Sequence, residues 1–571
     1  MSHNDTPSNV HLRDFNADPR MLLLSALGAL LGCAGAALAW MLLHLIYAAT
    51  NMFYYQRLSW SFASPAHNTL KWLAVFVPIV GGLIIGVMAR FGSDKIRGHG
   101  MPEAIEAILM QGARIHPRVA IFKPLSAAVA IGSGGPFGAE GPIIMTAGSV
   151  GSLLGQLFHL TDAERTTLLV AGAAAGMTGV FSTPLSAVLL AVELLLFEWR
   201  PRSFIPVAIA ATTAGVLRHY FLAADPLFPM PLLNHSVQPL AVLGALGLGI
   251  LGGAAALVLS RAVYASEDFF EHYLPIHWMW WPAIGGVVIG LGGLIFPRAL
   301  GTGYDVIASL VSGDQAWSLI LGVLIVKSII WSFSLGSGTS GGILAPLLMI
   351  GGALGALAAP LLPSLQVGAW PLVGMAAVLS GAIGCPLTSV VLSMELTHNY
   401  ALMLPLLAAA VAAHAFTVLF QKRSILTERL SRRGHHLSRE YSVDPLEAMI
   451  VSQIMQSDTG DFAPESMSLK GLQFLDGERG AAGKASGAME EPVPVAELVA
   501  FPGETLRALA ERMATRHLSV IRVVEPGSGR VLGQVTLEDI LQARIRSHER
   551  ENRLERVRSL RLPFMCQRGE P

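Results

Sequence analysis

Long apolar stretches follow one another from Met21 to about Phe420, with little polar sequence between them. The first, from Met21 to about Ala49, is too long for the core of a signal peptide and lacks a small-residue cleavage site, so we expect a spanning helix of the mature protein. Several later stretches are shorter than the roughly 20 residues that a straight spanning helix needs. Many start or stop at glycine or proline, as expected where helices tilt or end inside a membrane around a polar site. The pattern predicts an all-α, multi-pass membrane protein.

Composition agrees with a membrane protein and excludes several other classes. The chain is 53% hydrophobic and 14% charged, whereas soluble domains average about 25% charged residues. Its 39 basic and 39 acidic residues cancel, so no nucleic-acid partner is indicated. Three scattered cysteines have neither metal nor disulfide spacing. Since phosphate-loop, zinc-protease and nucleophile-elbow motifs are missing from the sequence, we expect no enzyme activity, no metal and no resident cofactor.

The apolar region contains an internal repeat. The segment that starts at Gly132-Ser-Gly matches the segment that starts at Gly336-Ser-Gly, at an offset of 204 residues (336 − 132). Further along, Pro184–Leu194 matches Pro386–Leu396 at an offset of 202 (386 − 184). Matches in the same order at nearly constant offset indicate duplication of the membrane body. We expect two related halves, at roughly 70–235 and 275–434.

Polar segments flank this membrane domain, which we place at residues 21–434. Residues 1–20 are polar, and five basic residues follow the last apolar stretch, which by the positive-inside rule places that end in the cytoplasm. The basic residues could instead belong to an ordinary solvated helix face, which is compatible with the same orientation. We expect a cytoplasmic, that is inner, membrane protein with both termini cytoplasmic. The five residues are Lys422, Arg423, Arg429, Arg432 and Arg433.

A small soluble domain follows. Residues 435–492 include a stretch rich in Gly, Ala, Ser and acidic residues, which predicts a linker with a flexible insertion. Residues 493–544 show the pattern of a small α/β domain, and residues 545–571 that of a charged helical tail. Within the domain we predict a helix from Leu506 to Met513, strands at Leu518–Val524 and Val531–Val535, and a helix from about Leu537.

Three glycine-led loops carry the candidate chemistry, at 98–103, 138–142 and 341–346. In each, a proline stands where a first helical turn begins, and the glycines before it let the backbone bring unpaired N–H groups close to a ligand. Each helix N-terminus carries roughly +0.5 charge, so several that converge would attract an anion. For any one loop taken alone, the glycines and the proline could simply interrupt packed helices without binding an anion.

These loops resemble, in order, the GSGIP, G(K/R)EGP and GxFxP signatures of the CLC chloride channel and transporter family. The resemblance covers roughly residues 20–434. It implies tilted helices arranged as an inverted repeat, and a homodimer in the lipid bilayer with a separate pathway for chloride or other small anions in each subunit.

Glu140 resembles the gating glutamate of that family. A carboxylate at a helix N-terminus is itself an anion and can occupy an anion site until it is protonated or moves away; the alternative is a simple helix-capping acid. The other residues that the resemblance assigns to anion binding are Gly98, His99, Gly100, Gly141, Ile343, Leu344 and Ala345.

Several positions depart from the family pattern. His99 stands in place of a serine whose hydroxyl binds the central anion, and its imidazole either donates instead or turns away. Ala139 replaces a basic residue, and Leu344 replaces a phenylalanine. Arg423 falls at the position of a pore-lining tyrosine, where it would form a cationic inner mouth or anchor the helix at the interface. Anion selectivity is therefore open, and fluoride is an alternative substrate.

Proton-coupled members of the family usually carry two successive glutamates, of which the second transfers protons. Here the first position is Glu193 and the second is Leu194, so the proton site is lost at Leu194. We therefore expect a passive voltage-gated-type chloride channel gated by Glu140. The alternatives are a chloride/proton antiporter in which Glu198 supplies the missing acid, and a membrane-anchored sensor without transport.

The soluble domain resembles a CBS domain, the module that commonly follows the CLC membrane body. The resemblance assigns Thr536 and Asp539 to a nucleotide ribose, so an adenine nucleotide is a possible ligand. The same residues also fit a plain capping box at a helix start. A role in stabilising the dimer or in gating is the other expectation for this domain.

Overall fold

The computed structural model describes residues 20–196, 198–222, 226–230, 238–313, 316–432, 446, 449–457, 499–525, 528 and 530–552. The chain divides into a helical unit that extends to Glu428 and a smaller unit that begins at Arg429. This boundary lies close to the predicted end of the membrane domain at residue 434. Most of the predicted insertion and the end of the predicted tail, at 458–498 and 553–571, lie outside the described residues, as do residues 1–19.

The described residues of the first half of the helical unit form eight α-helices. A π-helical turn over Ala191–Leu196 continues the seventh. Proline occupies the first or second position of four of these helices, where its missing N–H costs no intrahelical bond. The helices are α1 Arg20–Tyr55, α2 Phe76–Phe91, α3 Met101–Met110, α4 Pro117–Gly132, α5 Glu140–Leu157, α6 Asp162–Phe181, α7 Pro184–Leu190 and α8 Pro201–Phe221.

The second half repeats this pattern of long helices and helices that start at glycine or proline loops. A π-helical turn over Gly322–Lys327 joins its fourth and fifth helices. The helices are α9 Pro239–His272, α10 Trp281–Ile295, α11 Tyr304–Val311, α12 Trp317–Leu321, α13 Ser328–Gly336, α14 Leu344–Ala358, α15 Ala369–Ile383, α16 Pro386–Thr397, α17 Met403–Phe420 and α18 Ile425–Arg432.

Within the described residues, eight helical segments are long and apolar enough to cross a membrane. Their hydrophobic side chains are exposed in large numbers, as expected for surfaces that face lipid. The predicted first span is confirmed, although it begins at Arg20 and runs on to Tyr55. The segments are Arg20–Tyr55, Lys71–Phe91, Pro201–Phe221, Pro239–His272, Trp278–Ile295, Trp317–Gly336, Leu344–Leu361 and Tyr400–Arg432.

Equivalent positions of the sequence repeat meet in space. Gly138 and Gly342 form an isolated antiparallel bridge, with N···O distances of 3.1 and 2.8 Å, and they are 204 residues apart (342 − 138). Two strands can pair antiparallel through equivalent residues only if a two-fold axis runs between them. The two halves are therefore related by a pseudo-two-fold rotation, and the predicted inverted repeat is present in the fold.

Further contacts come in matched pairs about the same axis. The N–H of Gly98 donates to the carbonyl of Gly338 at 3.3 Å, and the N–H of Gly301 donates to the carbonyl of Gly134 at 3.1 Å. All four glycines have positive φ, between +69° and +101°, which side chains rarely tolerate. The loops that precede the functional helices are thus fixed by hydrogen bonds between the halves.

In the part of the smaller unit that the structure describes, four strands form a sheet of order β1-β4-β3-β2, in which β2 and β3 run parallel. Its apolar core includes Leu506, Leu509 and Met513, the helix face that the sequence predicts. The strands are β1 Gln456–Ser457, β2 Val499–Ala500, β3 Val520–Val524 and β4 Val531–Thr536, and the helices of this unit are α19 Leu506–Thr515 and α20 Leu537–Asn552.

Candidate functional site

The candidate site lies where the N-termini of α3, α5 and α14 meet. Gly100 precedes α3 with φ of +88°, and an added Cβ there would meet Met145 and the backbone of Gly141. An added Cβ at Gly141 would strike the carbonyl of His99, so glycine is required for the first and second loops to touch. The loops therefore converge because three helices begin at close backbone contacts, as the sequence predicts.

Glu140 is the first residue of α5 and is fully buried. Its carboxylate fills the gap between Gly138 and Gly342, because an added Cβ at either glycine would collide with a carboxylate oxygen. The backbone of Ala345 lies close to it, and the Lys327 ammonium acts on it electrostatically. Within the described part of the chain, neither carboxylate oxygen has a hydrogen-bond partner of normal geometry. A buried carboxylate without well-formed hydrogen bonds is costly, and its role as a gate rather than a helix cap stays a prediction.

Apart from Arg423, the predicted anion-binding residues lie at the helix starts that meet at Glu140. His99 is buried, with 3% of its surface exposed, and its carbonyl packs against Gly141. Ile343, Leu344 and Ala345 are also buried, at the start of α14. Gly98 and Gly100 hold the first loop against the others.

Arg423 lies in a different environment. Its side chain is 43% exposed and forms an ion pair with Glu428 at 3.6 Å. An exposed, paired guanidinium fits a cationic inner mouth as well as an interfacial anchor, so its role in anion binding stays a prediction.

Sequence analysis did not identify two fully buried lysines that support the loops. The Lys123 ammonium donates to the carbonyls of Ile96 and Gly98 at 2.9 and 2.8 Å. The Lys327 ammonium donates to the equivalent carbonyls of Ala299 and Gly301 at 2.8 and 2.9 Å. The two lysines are 204 residues apart (327 − 123), the offset of the repeat, and this spacing was the signal that could have found them.

The acids near the predicted proton position have different roles. Glu193 accepts from the backbone N–H groups of Leu387 and Thr388, at 3.2 and 2.9 Å, and so caps α16. Its repeat partner Glu395 accepts from Leu185 and Ser186, at 2.9 and 2.8 Å, and caps α7. The two half-helices thus cap each other through one carboxylate each, a structural arrangement.

Glu193→Gln and Glu395→Gln each replace a charged cap by a neutral amide. Because the two contacts are equivalent, we expect similar losses, of about 1 kcal/mol each, in the free energy of unfolding, without a change in ion coupling. Thermal unfolding of the purified variants, together with flux measurements in liposomes, checks this. If Glu193→Gln changed coupling at wild-type stability, Glu193 would belong to a proton route.

Leu194 is buried at 1% exposure beside these caps. Glu198 is the next acid along the chain; it accepts a hydrogen bond from the Ser203 hydroxyl and lies 3.2 Å from Arg200 and 3.7 Å from Arg202. Its side chain is 24% exposed, so it combines access to water with basic neighbours.

Thr536 and Asp539 form a capping box at the start of α20. The hydroxyl of Thr536 donates to the Asp539 carboxylate at 2.7 Å and accepts from the Asp539 N–H at 3.1 Å. Partial burial raises the pKa of Asp539, but hydrogen bonds from Thr536 and Gln456 outweigh it and leave the pKa below its ordinary value of 3.8. These contacts are those of a plain capping box at a helix start. Nucleotide binding at these residues stays a prediction.

Comparison with known proteins adds three findings. A family model described as voltage gated chloride channel matches residues 80–418, more than half of the chain. A ClcB-like chloride channel protein of Ralstonia nicotianae is 29% identical over 427 residues, which cover 71% of this chain and 96% of that protein. An H(+)/Cl(-) exchange transporter, ClcA of Salmonella arizonae, is 31% identical over 366 residues, which cover 61% of this chain and 76% of that protein.

Among solved structures, a slow cyanobacterial Cl−/H+ antiporter matches with a TM-score of 0.64. The match covers 73% of this chain and 98% of that one, at 22% sequence identity. At this identity the likeness concerns the fold, and the predicted architecture of the helical unit is confirmed.

Proposed function

The chain belongs to the voltage gated chloride channel, or CLC, family of anion-transport proteins, and from this premise we propose that it exchanges chloride for protons across a membrane. The observation that carries the proposal is the Glu140 carboxylate. It is buried at a helix start between Gly138 and Gly342, where backbone groups of both halves surround it.

Exchange follows from competition for one site. Chloride and the Glu140 carboxylate are both anions, so they cannot occupy the same positive helix ends together. When the carboxylate takes up a proton, its charge and its attraction to the N–H groups are lost, and chloride enters. When chloride leaves, the carboxylate releases its proton and returns. Because chloride enters only after the carboxylate has taken up a proton and withdrawn, chloride movement and proton transfer are coupled, and a gradient of one drives the other.

Relatives support exchange rather than the passive channel that Leu194 led us to expect. A relative 31% identical is named as an H(+)/Cl(-) exchange transporter, and the fold matches a structure described as a Cl−/H+ antiporter. Since another relative is named as a chloride channel, the proposal also needs an acid that replaces Leu194. Glu198 meets this need because its carboxylate is partly exposed four residues further on.

Reconstitution of the full chain into liposomes with a chloride gradient tests the proposal. Chloride and pH are followed together, and we expect chloride efflux to drive protons uphill at a fixed ratio. Chloride movement without proton movement would instead support a channel. The same assay with fluoride or nitrate in place of chloride tests the selectivity of the site next to His99.

Glu198→Gln is expected to lower the proton-to-chloride ratio severalfold while chloride still moves, because an amide cannot relay a proton. Glu428→Gln is the matched control, since Glu428 is also partly exposed and paired with an arginine. Equal coupling ratios in the Glu198 and Glu428 variants would remove Glu198 from the proton route.

We further infer a homodimer in the bacterial cytoplasmic membrane, with both termini cytoplasmic. Basic residues after α17 and relatives in bacteria support this placement. We propose that the smaller unit is CBS-like. Since Thr536 and Asp539 bond to each other at the start of α20, we favour a dimer-stabilising or gating role for it over nucleotide binding.

A further inference from the structure

Tyr304 is placed rigidly at the edge of the Glu140 site. It is the first residue of α11, directly after Gly303, whose φ is +72°. Its ring packs edge-on against Phe181 and Phe228, each with ring centroids 6.2 Å away. Because two rings from different segments hold it, the direction of the hydroxyl is fixed by packing.

The Tyr304 hydroxyl is buried and points at the site. It lies within reach of the Glu140 carboxylate as a hydrogen-bond donor, although the contact falls outside strict hydrogen-bond geometry. A buried hydroxyl is unfavourable without an acceptor, so this one needs another acceptor whenever the carboxylate leaves.

The other half has apolar residues at the two equivalent positions. Under the repeat, Met101 is equivalent to Tyr304 (304 − 101 = 203), and Leu344 is equivalent to Glu140 (344 − 140 = 204). Met101 and Leu344 are both buried and apolar. The fold therefore accepts an apolar pair here, so packing alone does not require the polar pair Tyr304 and Glu140.

We propose that the Tyr304 hydroxyl is a ligand of the transported anion and donates a hydrogen bond to the chloride that replaces the Glu140 carboxylate. This rests on the proposed role of Glu140 as the gate. The phenol supplies the one side-chain O–H donor aimed at this carboxylate within the described residues, and the backbone groups of Ala345 and Ala139 lie near it. The anion thus lies at the start of α5 in the first half and accepts a hydrogen bond from Tyr304 of the second half.

Equilibrium chloride binding to the full chain in detergent, measured by isothermal titration calorimetry, tests the proposal. The Glu140→Ala variant serves as the parent, because its site is free of the carboxylate. Adding Tyr304→Phe should weaken chloride binding about tenfold, as expected for loss of one hydrogen bond to a charged group. Adding Tyr54→Phe instead, which removes a buried hydroxyl that donates to the carbonyl of Ser133 at 3.0 Å, should leave affinity unchanged. Equal affinities for the parent and the Tyr304 variant would overturn the proposal.

Two further results separate this proposal from its premise. If wild type and Glu140→Ala bind chloride equally well, the carboxylate does not compete for the site, and the gate proposal fails. If Tyr304→Phe matters only while Glu140 is present, the hydroxyl holds the carboxylate and is not an anion ligand. Should the double variant not fold, bromide soaked into crystals of Glu140→Ala decides: an anomalous peak within hydrogen-bonding distance of the Tyr304 hydroxyl supports the assignment, and a peak elsewhere overturns it.

Discussion

Glu140→Gln is expected to abolish proton transport and to leave chloride flux that no longer depends on pH. The amide has the shape of the protonated carboxyl group but can neither release a proton nor compete with chloride as an anion. In liposomes with a chloride gradient, we expect chloride to run down without proton movement, at a rate that stays constant from acidic to neutral pH.

Glu164→Gln provides the control for this experiment. Glu164 lies in the first turn of α6 and accepts from the Thr161 N–H at 2.8 Å, so it is also a glutamate at a helix start, but within an ordinary capping box. It should retain wild-type coupling. Wild-type coupling and pH response in Glu140→Gln would show that the gate lies elsewhere.

Lys327→Met is expected to destabilise the helical unit by about 3 kcal/mol, because it leaves the carbonyls of Ala299 and Gly301 buried without a donor. Lys123→Met removes the equivalent contacts in the other half and should cost a similar amount. Thermal unfolding of the purified variants in detergent measures both. Lys422→Met, at an exposed lysine after α17, is the control that should unfold at the wild-type temperature.

A transport measurement separates the two lysines. Lys327 acts electrostatically on Glu140, so its removal should also slow chloride turnover in the fraction that remains folded. Lys123 is expected to act through stability. If neither variant lowered the unfolding temperature, the lysine-to-carbonyl bonds would not be what fixes the glycine loops.

Local patterns in the sequence were sufficient for the spanning helices, the duplication and the convergence of the glycine-led loops at Glu140. Apolar length and a constant repeat offset can be recognised directly along the sequence. Glycine followed by proline at a helix start leaves few backbone conformations, which is why the loops were predictable.

Contacts between residues far apart in the sequence were not predictable in this way. Lys123 lies in an apolar helix and resembles an isolated charge until Gly98, 25 residues earlier, folds back onto it. Tyr304 looks like an ordinary residue after a glycine, because Glu140 is 164 positions away (304 − 140). Leu194 led to the passive-channel prediction because leucine cannot carry a proton, and Glu198, four residues further on, was the acid that the alternative required.

The bridge between Gly138 and Gly342 also bears on the ancestry of the chain. A single ancestral half that paired with a copy of itself would have placed two identical loops across this axis, and every substitution there would have appeared twice. Such a homodimeric ancestor could offer two carboxylates or none, but never one. A site with a carboxylate on one side only became possible after the halves were joined in one polypeptide and Glu140 and Leu344 were free to diverge.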